Sequence, residues 1–485
     1  MKNKGLAYKI VAFTAGFVLM IFELVAARLL APTIGASIFV WTSVIGVIMA
    51  ALALGYWYGG RVADQRNNPL DIVWLLLAAS AGIVFVLMAG SLIIDLSVAI
   101  FKDARWQGLT AALLLFALPS FILGMVSPYL AKMAITSTET SGSSVANLSA
   151  MNAIGSILGT FLTGFVLFGL IGGDVTLALL VALSAGISWL LVTKDLWEVR
   201  LVFSIALVVV AGFLVWRSSD SDTITIDTAT ARYLVVSTTW EDRDITALLS
   251  GPHGIQSAVF TDGSGELVFW YQHRVAEVFH SSMSDIEAPP RILILGGGAF
   301  NLPDYFARQY PDSTIDVVEI DPKLQTIAEK HFGFVQHDNI NIYGEDARSF
   351  VRSKADTKQY DFIMVDVSKD IAMPWQFVTR EFGDRLNHLL DDQGVIVVNL
   401  IGAQAGNCSR LFDAVYGIYA RHLPNRYIVQ QFPGDHTITN IELIFSRRAL
   451  TFDETSSIQP LQRAIGRVYT DRFAPIEHML LQCKN

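Results

Sequence analysis

The stretch Ile292–Asp321, ILILGGGAFNLPDYFARQYPDSTIDVVEID, decides how the second half of this chain folds. Four apolar residues run into Gly296, Gly297 and Gly298, a segment of helical spacing follows, and a second apolar run closes on Glu319 and Asp321. Strand, glycine turn, helix and acid-ended strand together make a nucleotide-binding unit. Glycines let the backbone approach a ligand, and the helix behind them offers free N–H groups. Glu319 lies 21 residues after Gly298, where a carboxylate can accept hydrogen bonds from both hydroxyls of a ribose. Asn301 occupies the place of the third glycine in a G-x-G-x-x-G pattern, so the continuation has to carry the assignment.

That continuation is regular. NINIYGEDARSFV (339–351) adds a strand followed by Asp346 and Ala347, and YDFIMVDVSKD (360–370) adds a fourth strand ending at Asp366. LNHLLDDQGVIVVNL (386–400) supplies a helix, a turn and a fifth strand. Strands alternating with helices at this spacing predict a parallel, doubly wound sheet. Upstream, TITIDTATARYLVVSTTW (223–240), DITALLSG (244–251) and IQSAVFTDG (255–263) alternate apolar and polar residues. The turn signals Gly251-Pro252 and Asp262-Gly263 divide them, which predicts a small antiparallel sheet. YQHRVAEVFHSSM (271–283) then has helical periodicity, and Pro289-Pro290 breaks the chain before the nucleotide unit.

Acids closing the second, third and fourth strands project at the carboxyl edge of such a sheet, where these folds bind ligands. A dinucleotide enzyme has no special need for Asp346. A nucleoside sulfonium such as S-adenosylmethionine suits the set better: Glu319 takes the ribose, Asp346 the adenine amino group, and Asp366 faces the reactive end. With no phosphate to neutralise, an acid-rich edge is acceptable. No residue of this set calls for a metal.

The first half has a different character. The 485-residue chain is 52% hydrophobic and 16% charged, with mean hydropathy +0.45, and the apolar excess is concentrated before Arg217. Seven windows (8–30, 36–58, 72–98, 108–134, 149–171, 174–193 and 200–216) approach the roughly 20 apolar residues needed to cross a bilayer. The first window is too long for a signal-peptide core and is expected to stay attached. Lys and Arg in the short connections, eight against four, favour a cytoplasmic amino terminus. Seven spans would then place the second half outside, whereas nucleotide-dependent chemistry places it in the cytoplasm. These two expectations conflict. Within FELVAARLL, Glu23 and Arg28 are expected to pair or reach the interface; Gly155, Gly159 and Gly164 are expected to let helices pack closely. The net charge of −9 disfavours a nucleic-acid partner. Two cysteines, Cys408 and Cys483, exclude a disulfide framework and a thiolate zinc cluster.

At these residues, over about 225–450, the chain resembles the spermidine synthase (polyamine aminopropyltransferase) family. In layout it resembles bacterial members fused to a multi-pass membrane module, to which FELVAARLLAP, GYWYGGRVAD and NAIGSILGTFLTGF are similar. The resemblance implies a transmembrane domain (1–217), a small β domain with a gate helix (218–285), and a Rossmann-like domain of S-adenosylmethionine-methyltransferase type (286–485). It implies a bacterial inner membrane location with the soluble part in the cytoplasm, a lipid bilayer and an amine or polyamine as partners, and leaves a homo-oligomer open. No cofactor is tightly bound; the co-substrate is decarboxylated S-adenosylmethionine or S-adenosylmethionine.

Carried over, the resemblance assigns Gln256, Gln272, Gly296, Gly298, Glu319, Asp346 and Ala347 to the nucleoside side. Tyr271 and Asp370 fall on the amine side, and Asp366 is the base. An ammonium is no nucleophile until a carboxylate takes or shares its proton. The departures concern amine-facing positions. GGGAFN has Ala299 where the family's GGGDGG has an aspartate that grips the aminopropyl ammonium, His273 replaces a glutamate, and DVSKD replaces DSSDP. The tyrosine expected around FPGDHTITNIELIFS is absent. Two alternatives stay open beside aminopropyl transfer: another S-adenosylmethionine-dependent transferase such as a methyltransferase, and a transporter or sensor whose soluble part binds a nucleoside or polyamine without turnover.

Overall fold

The computed structural model describes residues 2–66, 68–135, 141–191, 196–218, 223–252, 254–284, 288–354, 359–368, 373–432, 438–476 and 479. The chain divides into two compact units. One comprises Met1–Leu234 with Ser250–Pro252, the other Val235–Leu249 with His253–Asn485.

The first unit is built from α1 (Lys2–Ile34), α2 (Ile38–Gln65), α3 (Pro69–Ile100), α4 (Ala104–Ala134) and α5 (Ser141–Leu162). A π-helical turn at Thr163–Leu167 carries α5 into α6 (Phe168–Leu170), and α7 (Gly172–Ile187) and α8 (Trp197–Ser218) follow. Seven segments among the described residues are long and apolar enough to cross a membrane by length and composition: Gly5–Ile34, Ile38–Gln65, Pro69–Ile100, Ala104–Ala134, Ser141–Leu170, Gly172–Leu190 and Trp197–Arg217. Each overlaps one of the apolar windows. Large apolar side chains such as Phe165, Leu170 and Val202 point outward as well as inward, the pattern of helices that are hydrophobic all round.

Glycines set the closest approaches. A methyl group on Gly155 would stand 1.9 Å from the Phe13 carbonyl oxygen, and one on Gly16 2.1 Å from that of Asn152. These positions bring α1 and α5 into backbone contact, as small residues permit between apolar helices. Gly159 does the same against Phe17, whereas Gly164 has nothing within 4 Å. Arg28 donates to the carbonyls of Thr228 and Ala229 at 2.7 and 2.9 Å and lies over the Phe168 ring. Arg232 is held between Asp174, at 2.7 Å, and Asp227, at 3.7 Å, the last residue of β1 (Thr223–Asp227).

The second unit begins partway along β2 (Arg232–Trp240), at Val235, and continues with β3 (Arg243–Leu249) and β4 (Ser257–Phe260). β3 and β4 pair antiparallel, Ile245 opposite Phe260 and Leu248 opposite Ser257. The alternation buries Ile245 and Ala247 against Val268 and Phe269, at the start of α9 (Trp270–Met283).

The larger sheet follows. Its elements are β5 (Arg291–Leu295), α10 (Asn301–Gln309), β6 (Thr314–Val318), α11 (Lys323–His331), β7 (Ile340–Tyr343), α12 (Ala347–Lys354) and β8 (Tyr360–Val365). Then come α13 (Arg380–Leu389), β9 (Leu390–Gly402), α14 (Ser409–Ala420), β10 (Asn425–Gln430), β11 (Thr439–Ser446) and β12 (Gln459–Pro460). The strand order is β12-β10-β11-β9-β8-β5-β6-β7. Strands β5 to β9 are parallel and carry near-continuous apolar runs, as strands covered on both faces do.

The expectation of an all-parallel sheet is corrected at one end. β11 inserts between β9 and β10 and runs antiparallel to both. Residues 431–438 between β10 and β11 are too few for the crossover that parallel neighbours need, which takes about a dozen or more. Cys408 is disulfide-bonded; two cysteines still exclude a framework of bridges.

Candidate functional site

Register places three of the expected residues side by side. Leu295 of β5 pairs with Val318 of β6 and with Val365 of β8, so Gly296, Glu319 and Asp366 are the next residues of three adjacent strands. The ladder continues one step past the strands: Gly296 N–H donates to the Val318 carbonyl, Asp366 N–H to that of Leu295, and Glu319 N–H to that of Tyr343. At about 4.8 Å between strands, this rim spans roughly 10 Å.

The glycine loop needs its glycines. Gly296 has φ +98°, and a side chain there would stand 2.0 Å from the Asp366 carbonyl oxygen. Gly298, at φ +53°, lies against Ser257 Oγ. Glu319 closes the loop from the other side. Its Oε2 accepts N–H bonds from Gly297 and Gly298 at 2.8 and 3.1 Å, and its Oε1 accepts from Asp321 at 3.0 Å. Burial raises this carboxyl above the usual range, against the downward pull of the three backbone donors. β4 supplies the remaining support: Ser257 Oγ accepts the Ala299 N–H at 3.0 Å, and Asn301 Nδ2 donates to the Ala258 carbonyl at 2.8 Å. Ala299, where the resemblance expected an aspartate, is buried. Gln256 precedes Ser257, and its Oε1 is buried with no hydrogen-bond partner among the described residues.

Around Asp366 the donors are neutral. Tyr271 Oη donates to Oδ2 at 3.2 Å, and Asn399 Nδ2 to Oδ1 at 3.0 Å. Asn399 is oriented in turn by Asn440, whose amide donates to its Oδ1 at 3.2 Å. Burial pushes the Asp366 carboxyl above its ordinary value, and the bonds from Asn399 and Tyr271 partly offset this. The Tyr271 hydroxyl is pushed well up, by burial first and then by the charges of Asp366 and Glu442. A carboxylate held in place and raised above its ordinary range is suited to taking a proton.

Asp346 and Ala347 lie apart from this pair, whereas Gln272 adjoins Tyr271. Gln272 is buried and turns back on its own helix, its Oε1 accepting the Phe269 N–H at 3.4 Å. Asp346 follows β7, two strands from β5, and its Oδ1 caps α12 by accepting the Ser349 N–H at 2.9 Å. Ala347 is buried at the first position of that helix. No hydrogen bond joins Asp346 to Glu319 or Asp366 among the described residues. Asp370 lies outside the described residues.

Sequence reasoning missed Asn399, Ser257 and Glu442. Glu442 sits in β11 with none of its surface exposed and neither carboxylate oxygen bonded among the described residues. A charged residue flanked by apolar ones, Glu442 in the IELIF of TNIELIF, was the available signal.

Residues 269–405 match the spermine/spermidine synthase domain. The chain is similar to the polyamine aminopropyltransferase of Vibrio vulnificus, 37% identical over 126 residues that make 26% of this chain and 40% of that one. It is also similar to the human eEF1A lysine and N-terminal methyltransferase, 30% identical over 202 residues, 39% of this chain and 28% of that one. Less than half the length of either relative is therefore spanned. Among solved structures, a probable spermidine synthase from Corynebacterium glutamicum aligns at TM-score 0.42 and 22% identity, over 48% of this chain and 83% of that one. The domain match and the aminopropyltransferase relatives support the spermine/spermidine synthase family for the stretch from the start of α9 to the end of β9.

Proposed function

We propose that this protein transfers an aminopropyl group from decarboxylated S-adenosylmethionine to the nitrogen of an amine or polyamine, with Asp366 as base, in an enzyme anchored to the cytoplasmic face of a membrane by its seven apolar helices. One observation carries the reading: Asp366 closes β8 beside the glycine loop and is held by Tyr271 and Asn399. The amine lone pair attacks the carbon next to the sulfonium. The carbon–sulfur bond breaks, its electron pair stays on sulfur as methylthioadenosine, and the nitrogen's proton passes to Asp366. Such a displacement needs mainly positioning.

On the nucleoside side, Glu319 holds the loop and keeps lone pairs for the ribose, since a carboxylate can accept about four bonds. Gln256 and Gln272 flank the donor. Asp346 Oδ2 is left for the adenine amino group.

A second reading rests on Ala299. Without an aspartate at that position, nothing in the loop repels the carboxylate of intact S-adenosylmethionine, and methyl transfer to nitrogen is then open. The methyltransferase relatives, named for lysine and N-terminal modification, favour it. Both readings share an adenosyl sulfonium donor and an amine acceptor. The purified full chain, given either sulfonium with a panel of polyamines, separates them. Methylthioadenosine release supports the first and S-adenosylhomocysteine the second; tight nucleoside binding without product would overturn both.

A further inference from the structure

The seam between α2 and α4 is tight at its two ends and open between them. A methyl group on Gly55 would stand 2.3 Å from the Phe121 carbonyl oxygen, and one on Gly59 2.7 Å from Met125 Cα. At the other end, a methyl group on Gly108 would lie 3.4 Å from Val40. Gly46, between these contacts, meets nothing within 4 Å. Small residues here leave a groove of about 690 Å³, with Thr42, Gly46 and Ala50 on one wall and Leu109, Leu113 and Ala117 on the other. From Thr42 to Leu54 the α2 wall is about 18 Å long. One leaflet's half of the hydrocarbon core is about 15 Å deep, so the groove has the length of one acyl chain.

The Gly108 end of the groove is basic and aromatic. Arg105 precedes Leu109 by one helical turn, and its guanidinium lies 5.5 Å from the centre of the Phe39 ring, so it reaches from α4 to α2. Lys102, in the connection before α4, is exposed and has no ion-pair partner among the described residues. The acid of this connection, Asp103, pairs with Arg105 at 3.1 Å and caps α4 by accepting the Arg105 N–H at 2.9 Å. Trp41 and Trp106, within the first turn of α2 and of α4, are exposed, and tryptophans so placed sit at headgroup depth. A basic, aromatic head on an apolar groove complements a phosphodiester that carries an acyl chain. A second copy of this chain complements it less well. In a symmetric membrane dimer the same residues meet at one depth, and Lys102 and Arg105 would face their own copies.

We propose that this groove binds one anionic glycerophospholipid, its phosphate held by Lys102 and Arg105 and one acyl chain laid between α2 and α4. The inference goes beyond the transfer reading and rests only on the first unit's spanning a bilayer. It makes the helical unit a lipid-binding module as well as an anchor.

Native mass spectrometry of the full chain, released from detergent micelles with added phosphatidylglycerol or phosphatidylcholine, reads the site. Wild type should retain one phosphatidylglycerol per chain, about 10-fold more tightly than phosphatidylcholine. Each basic residue near an anionic headgroup contributes about fivefold. Lys102→Gln combined with Arg105→Gln should therefore lose about 10- to 30-fold in phosphatidylglycerol affinity and leave phosphatidylcholine nearly unchanged. Gly46→Leu fills the groove from its open side, and should weaken both lipids about 10-fold at an unchanged melting temperature. Equal retention of the two lipids by wild type, or phosphatidylglycerol affinity that survives either variant, would overturn the proposal. So would a wild-type dimer that Gly46→Leu splits, because a second copy would then be the occupant. A chain that remains in solution without detergent would remove the bilayer reading and the site together. Neither failure touches methylthioadenosine binding, which tests the transfer reading separately.

Discussion

Two buried glutamates on one sheet take opposite positions in its hydrogen-bond economy. Glu319, after β6, accepts three backbone N–H bonds and fixes the glycine loop. Glu442, in β11, accepts none among the described residues. Burial raises both carboxyls above the ordinary range; at Glu319 backbone donors pull against it, and at Glu442 the charge of Asp366 adds to it. The Glu319 end of the rim is thus held by its own backbone donors, while the Glu442 end has two buried carboxylates and neutral donors only. A saturated carboxylate shapes a loop; an unsaturated one keeps the cost of its burial.

Substitutions can break that contrast at either end. The largest effect is expected at Gly296. A side chain there must overlap the Asp366 carbonyl and adopt φ +98°, and backbone strain alone costs about 1–3 kcal/mol. Gly296→Ala should therefore lose roughly 3 kcal/mol or more of stability together with nucleoside binding, read by thermal unfolding and calorimetry; a wild-type melting curve would mean the loop is looser than described. Glu319→Ala comes next. It leaves the N–H groups of Gly297 and Gly298 without their acceptor and removes the proposed ribose partner, so methylthioadenosine affinity should fall about 10- to 100-fold. Unchanged affinity would remove Glu319 from the nucleoside site.

Glu442→Gln sharpens the comparison through pH. A carboxyl whose folded pKa is raised contributes stability that is fully present below its unfolded value and is lost as pH rises through the folded one. Replacing Glu442 with neutral glutamine should thus leave melting unchanged near pH 4 and raise it by roughly 2–4 °C at pH 8. A pH-independent difference would show that the charge is not the cause. Ser257→Ala should act on stability alone. Removing the acceptor of the buried Ala299 N–H is expected to cost about 1–2 kcal/mol, with putrescine binding intact.

The contrast also explains what the sequence disclosed. The glycine loop and the acids ending β6 and β8 are local signals: an apolar run, a turn and a carboxylate follow one another within a few residues. The five parallel strands were legible for the same reason, since each apolar run is bounded by its own turn. Asp346 was legible as an acid at a strand end, and its capping bond to Ser349 spans three residues. Asn399 and Glu442 were not. Asn399 lies beside Asp366 through the parallel register of β8 and β9, in which Val365 pairs with Val398, and Glu442 joins them only because β11 turns back antiparallel onto β9, opposite Asn399. Reading that pairing required knowing that the sheet ends in an antiparallel strand, for which a short connection between two apolar runs was the only cue.

The most direct test of the account is to compare Asp366→Asn with wild type in both turnover and nucleoside binding. Base catalysis is typically responsible for about 10²- to 10⁴-fold in rate. Asp366→Asn should lose turnover on that scale while binding methylthioadenosine within a few-fold of wild type, and the wild-type rate should decline as pH falls through the raised Asp366 pKa. Equal loss of turnover and nucleoside affinity, or turnover that survives the substitution, would contradict it.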